Sequence, residues 1–321
     1  MMVSKLRSKA KEASEWVSSK AGIEAQEEAT RQSAEVLKRL REEQRVAPKA
    51  LLARITILIA VLLFSMGASY RTPNFTIQTQ SPQLAEEFGK SAEKHRHDLA
   101  VLWLGHALPQ WNQPCPVTVR VGPGLGAGGA TTFVFNKGEV FGWRMTIQGS
   151  RQRVLDSVLP HEITHMILAS HFRQPLPRWA DEGAANSVED KTERDKRRKM
   201  LLQYLTSGRG IAFNRMFAMT EYPADIMPLH AQGLALCEFL VQQGGRRGFV
   251  KYLEDGLETD KWVAATKDHY GYRNLGELQN DWVAWVGNGF PGSKPAGSGT
   301  AAVRGDGLRT AGGQVVVSGY G

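Results

Sequence analysis

The sequence predicts an α+β domain: a small mixed sheet packs on one central helix, and a helical subdomain follows. Three observations predict it. Between about residues 74 and 147, short runs of β-branched and aromatic residues alternate with turn signals. From Val154 onward, apolar residues recur at three- and four-residue spacing instead. The two regimes meet at residues 159–185, LPHEITHMILASHFRQPLPRWADEGAA, where the chemistry-bearing side chains are concentrated. A sheet ahead of this stretch and helices behind it place a site between two subdomains.

The chain has 321 residues and a net charge of +8, and its ends differ from its middle. Residues 1–50 are rich in Lys, Arg, Glu and Ala. Val3, Leu6, Ala10, Ala13 and Val17 begin a heptad seam that Lys20 and Glu24 break, so a polar, partly helical arm is expected. Residues 51–70 are expected to be a transmembrane segment. No charge occurs from Ile55 to Tyr70, and Leu51, Leu52 and Ala53 bring the run near spanning length if Arg54 snorkels. The run lacks the amphipathic spacing of a helix at a core surface. Lys38, Arg39, Arg41, Arg45, Lys49 and Arg54 precede it and Arg71 follows, an asymmetry that puts the arm in the cytoplasm and the remainder across the membrane.

Residues 73–287 read as the main domain. Strands are expected over 74–79, 116–121, 131–135 and 140–147, with a helix over about 82–105 and a hairpin turn at 136–139. The glycine run over 122–129 opens a strand rather than a helix and lacks the Lys-Ser/Thr of a phosphate loop, so a mobile loop is expected there. The central helix carries Val154, Leu155, Val158, Leu159, Ile163, Met166 and Ile167 on its inner face. Pro160 inside it must kink or restart the helix. Helices are expected after Asn186, over about 228–243 and near 246–254 and 275–286, with a loop over 207–214. Residues 288–321, rich in glycine, read as a disordered tail.

The chemistry begins with His161 and His165. Four residues apart on a helix they share one face, a spacing that suits two imidazole ligands of one zinc ion. Glu162 lies about 100° around the helix and is the candidate general base beside a metal-bound water. After a proline-rich turn, Glu182 can close a His-His-Glu set that leaves a fourth position for water. Asn186, one turn further on, is placed to accept the outer N–H of a ligating histidine, and Asp181 is the other candidate for that supporting layer.

HEITH followed by PRWADEGAA resembles the gluzincin clan of zinc metallopeptidases, and more narrowly the bacterial peptidase MA-like domain proteins. The opening strand from Asn74 to Ser81 and the closing helix with Trp282 and Trp285 are similar as well. The resemblance spans about residues 73–287 and implies a thermolysin-like fold. It also implies one zinc on His161, His165 and Glu182, with Glu162 as base and a peptide or protein as substrate. Asn186 stands where such enzymes often carry a carboxylate, and His230 where they often show a tyrosine. By position, His230 is the first candidate for the oxyanion donor and Tyr222 the second; a core or capping role is the plain alternative for His230.

The sequence thus points to a membrane-anchored zinc metallopeptidase whose metal domain lies on the non-cytoplasmic side. The alternative is a non-catalytic, metal-stabilised domain that binds an envelope protein or polymer. Nucleic acid is not an expected partner: the densest basic run, Lys196 to Lys199, is interleaved with acidic residues and reads as a solvated helix face. Two cysteines, Cys115 and Cys237, exclude a disulfide framework and CxxC metal sites and read as buried thiols.

Overall fold

A computed structural model describes residues 67–292, a few helical positions between 31 and 38, and the strand Gln314–Tyr320. Apart from those helical positions, the expected arm and residues 51–66 of the expected membrane segment lie outside the described residues. Among the described residues no helix is long and apolar enough to cross a membrane.

The fold is α+β. Strands β1 (Ala68–Arg71), β2 (Phe75–Thr79), β3 (Cys115–Val121), β4 (Gly128–Asn136) and β5 (Glu139–Gly149) build a mixed sheet that β6 (Gln314–Tyr320) extends by one strand. The order is β1-β2-β3-β5-β4-β6, with β2, β3 and β5 parallel and the other pairs antiparallel. The parallel step from β2 to β3 needs a crossover, which α1 (Pro82–Leu104) supplies. Alternation places Phe75, Ile77, Val117, Val119, Met145 and Ile147 in one core with Phe88 and Ala92 of α1. The β4–β5 turn has positive φ at Lys137 (49°) and Gly138 (76°), the backbone of a tight type I′ hairpin.

Three sequence expectations shift here. Ala68, Ser69 and Tyr70 end the expected membrane segment, but they pair with Thr79, Gln78 and Ile77 as β1, so the sheet takes residues that hydropathy had grouped with the apolar run. Gly128 and Gly129 belong to β4 rather than to the loop before it. The expected tail contributes β6, whose Val315-Val316-Val317 run has the β-branched composition strands favour.

After β5 a single turn, Arg151–Arg153, leads into a π-helical turn, Val154–Val158, and then α2 (Leu159–Phe172). The π turn answers the problem of Pro160. A proline has no N–H to give the carbonyl four residues back, and its ring crowds that carbonyl. Widening the preceding turn, so that Leu159 N–H reaches Val154 O, carries the chain past it without a break. Every residue of α2 from Leu159 to Ala169 is buried, because the sheet and α1 cover one side and the later helices the other. The expected single inner face was too narrow.

The second core belongs to α3 (Arg178–Ser187), α4 (Lys191–Thr206), α5 (Phe213–Phe217), α6 (Met227–Thr259), α7 (Trp262–Tyr270) and α8 (Leu275–Gly287). Helices α5 and α7 fall in stretches where none was expected. The two helices expected near 228–243 and 246–254 are the halves of α6, bent at Gly245 (φ 70°). Trp179 of α3 anchors this core, its ring centroid 4.6 Å from that of Phe217 in a tilted pair. Helices α3 and α6 cross with their backbones touching: a Cβ on Gly183 would overlap Gly233 O, and one on Gly233 would lie 2.6 Å from Trp179 O. That crossing brings the first turns of α6 against Glu182.

Candidate metal centre

Helix α2 presents His161 and His165, and α3 presents Glu182, in the seam between the two cores. All three are buried. His161 Nε2 lies 3.1 Å from His165 Nε2, and Glu182 Oε2 lies 3.6 Å and 3.9 Å from these two nitrogens. Ligands about 2.0–2.2 Å from a tetrahedral zinc stand about 3.3–3.6 Å apart, so the observed spacings bracket what one ion requires. The three form a candidate ligand set among the described residues.

The donor chemistry fits as well. His161 Nδ1 is 2.8 Å from Glu189 Oε1, and His165 Nδ1 is 2.8 Å from Asp181 Oδ1. An ionised carboxylate only accepts, so in a ring that carries one proton Nδ1 holds it and Nε2 keeps its lone pair for the convergence point. Glu182 Oε2 is buried and makes no well-aligned hydrogen bond among the described residues, although His230 Nδ1 lies 3.2 Å away. Leaving such an acceptor unmatched costs about 1–3 kcal/mol, and more when it is charged; a cation at the convergence of the three atoms would offset that cost.

Electrostatics divides the groups. Burial, and then the neighbouring His165, hold His161 well below the usual imidazole range. Burial works in the same direction on His165, but Asp181 and the glutamates override it and push its pKa to about 10. Burial raises Glu182, yet His230, His165 and His161 bring it below the usual carboxylate value. Glu162 has no cation of its own: burial pushes it up to about 8, against the pull of His165 and Thr131.

Glu162 points to the sheet side. Thr131 Oγ1 of β4 donates to Glu162 Oε2 at 2.6 Å, while Oε1 has no hydrogen-bond partner among the described residues. Gly129 makes room for it, since a Cβ there would lie 2.5 Å from Oε1. The glycine thus serves a close approach of strand and carboxylate.

The expected supporting residues are partly reassigned. Asp181 accepts from His165, but Asn186 reaches no ligating histidine. Its Oδ1 accepts from Arg197 Nε at 2.8 Å, and its amide nitrogen faces His230 Nδ1 at 3.3 Å. The carboxylate serving His161 comes from Glu189, just past the end of α3, and Arg197 grips both its oxygens. His230 Nδ1 lies 3.2 Å from Glu182 Oε2, a partner for the ligand carboxylate that its sequence position did not suggest. The Tyr222 hydroxyl donates to Glu182 Oε1, with Arg178 stacked 4.5 Å from its ring.

Glu189, Thr131 and Arg197 were not anticipated. Glu189 lies in a turn, where helical spacing says nothing, and Thr131 is far away in sequence. Arg197 did carry a signal: Glu193, Arg197, Leu201 and Tyr204 share one helical face, and all four are buried. The basic run is therefore not wholly a solvated face. Cys115 and Cys237 are buried free thiols, with burial raising the pKa of both.

Removing the carboxylate behind His161 should weaken the centre without emptying it. Glu189→Gln is expected to lower metal affinity by about 10- to 100-fold, the usual effect of losing such a support. Competition titration against a chelator of known affinity measures it, and an unchanged affinity would show that Glu189 serves packing alone.

The fold and site define an α+β protein with a buried His-His-Glu cluster spaced for one metal ion. No family model and no curated protein matches the sequence.

Proposed function

We propose that this protein is a zinc-dependent metallopeptidase of gluzincin type. The observation that carries the reading is the convergence of His161 Nε2, His165 Nε2 and Glu182 Oε2, with the buried carboxylate of Glu162 one residue past His161 and in no ion pair among the described residues. A structural metal has no use for such a group at that position. The site fits zinc held by His161, His165 and Glu182, and the ion when bound supplies the Lewis acidity that makes water nucleophilic near neutral pH.

The chain's own residues do the remainder. Glu162, steadied by Thr131, takes the proton from the attacking water and returns it to the leaving amine. Asp181 and Glu189 keep the imidazoles in the ligating tautomer. Tyr222, whose hydroxyl already donates at Glu182, is the donor assigned to the oxyanion, and His230 is assigned to hold Glu182.

The test is hydrolysis of a peptide library by the full chain before and after metal removal and zinc restoration. Activity that disappears on chelation and returns with zinc supports the reading. A Tyr222→Phe protein in the same assay should lose about 100- to 1,000-fold in kcat with KM little changed; an unchanged kcat would remove Tyr222 from that role.

The membrane reading is carried by residues 51–67 and the basic residues before them. It places the domain on the non-cytoplasmic face. The intact protein should stay with membranes through an alkaline wash, and release into the soluble fraction would overturn the anchor.

A further inference from the structure

The strand that rests on Glu162 has its outer edge occupied by the chain's own C-terminal segment. β4 pairs with β5 on one side, and on the other β6 runs antiparallel to it over seven residue pairs, from Phe135 opposite Gln314 to Gly129 opposite Tyr320. Ser318 lies opposite Thr131, whose hydroxyl holds Glu162, and Tyr320 lies opposite Gly129, which makes room for that carboxylate. The backbone of β6 therefore runs along the stretch of β4 that borders the metal centre, and ends there.

Without β6, β4 would present a row of unpaired N–H and C=O groups, the template on which an extended peptide adds as a strand. A peptide laid along this edge would pass Thr131 and Gly129, as β6 does. Two strands cannot share one edge. β6 also has the means to hold it: a β-branched run, Val315-Val316-Val317, tethered to α8 through the Gly-, Ala- and Ser-rich residues 288–313. A tether makes the pairing intramolecular, so a weak strand competes as though present at about millimolar concentration.

We propose that Gln314–Tyr320 is a built-in occupant of the β4 edge that excludes extended peptide substrates until it is displaced. The competition rests on the peptidase reading; the occupancy does not. With the strand seated most of the time, the apparent KM for an extended peptide is raised by the inverse of the open fraction.

Two measurements on the full chain test this, each repeated on a chain ending at Gly313 and on Val316→Pro and Val317→Pro proteins. Adjacent positions are used because alternate residues of a strand donate to its neighbour, so one of the two prolines must remove a ladder hydrogen bond. The first measurement is hydrogen exchange at β4. The alternate amides of Gly129–Phe135 that face β6 should be protected in the full chain, exposed in the shortened one, and protected again when the peptide QVVVSGYG is added. The second is peptide hydrolysis with zinc. KM should fall by about tenfold or more on shortening, and the added peptide should inhibit competitively. Equal exchange of β4 in the full and shortened chains would overturn the pairing. Lost protection with an unchanged KM would overturn the competition. If no form hydrolyses any peptide, the peptidase reading fails by itself, and protection that truncation removes and the added peptide restores still upholds the occupancy.

Discussion

Glu162→Gln should keep its zinc and lose about 100- to 10,000-fold of peptide hydrolysis, the range that a general base contributes. The carboxylate sits one residue past His161 and accepts from Thr131 of β4, and the candidate ligand set does not contain it. Glutamine preserves volume and still accepts the Thr131 hydroxyl, which separates the loss of a base from damage to packing. Zinc content should match the parent. Thermal stability should change little, because glutamine keeps the volume and the acceptor for Thr131. A variant that hydrolyses as fast as the parent would end the hydrolytic assignment. If parent and variant both cleave nothing but bind the same partner, the non-catalytic domain becomes the better reading.

Losing a ligand should act on the metal directly. His161→Ala, His165→Ala and Glu182→Ala are each expected to take zinc from about one ion per chain to a small fraction of that, since a set of three cannot hold the ion tightly with two. The Glu182 variant should also lose stability. The Tyr222 hydroxyl donates to that carboxylate, and its removal leaves the hydroxyl buried without that acceptor, at about 1–3 kcal/mol. Glu182→Gln keeps the side-chain volume and one acceptor oxygen for the Tyr222 hydroxyl, so it separates the metal effect from the folding effect. Full zinc in a folded Glu182→Ala protein would exclude Glu182 from the centre.

How much was legible in the sequence follows the range of the forces involved. Local periodicity placed β2, β3, α1, α8 and both halves of α6 to within a few residues, because backbone pairing and helical repeat leave their mark on neighbouring positions. The same locality makes the HEITH pair readable: residues four apart must share a helical face whatever surrounds them. Glu182 was readable through the sequence after the proline turn, and its neighbour Asp181 came with it.

The rest needed the folded chain. Glu189 takes the role expected of Asn186 because α3 ends at Ser187 and the next turn swings a carboxylate back to His161, a direction no repeat encodes. Thr131 and Gly129 meet Glu162 only because β4 is laid against α2. His230 meets Glu182 only because glycines on α3 and α6 let two backbones touch. Hydropathy could not tell that Ala68, Ser69 and Tyr70 pair as a strand, since the partner groups lie in β2. Composition marked residues 288–321 as glycine-rich without showing that seven of them match the edge of β4. The sequence by itself determined which residue types share a face of the helix and which acidic residue follows them. Tertiary structure alone decided which groups hold the ligands, steady the base and cover the strand beside it, because those contacts join residues whose separation along the chain carries no information about their distance in space.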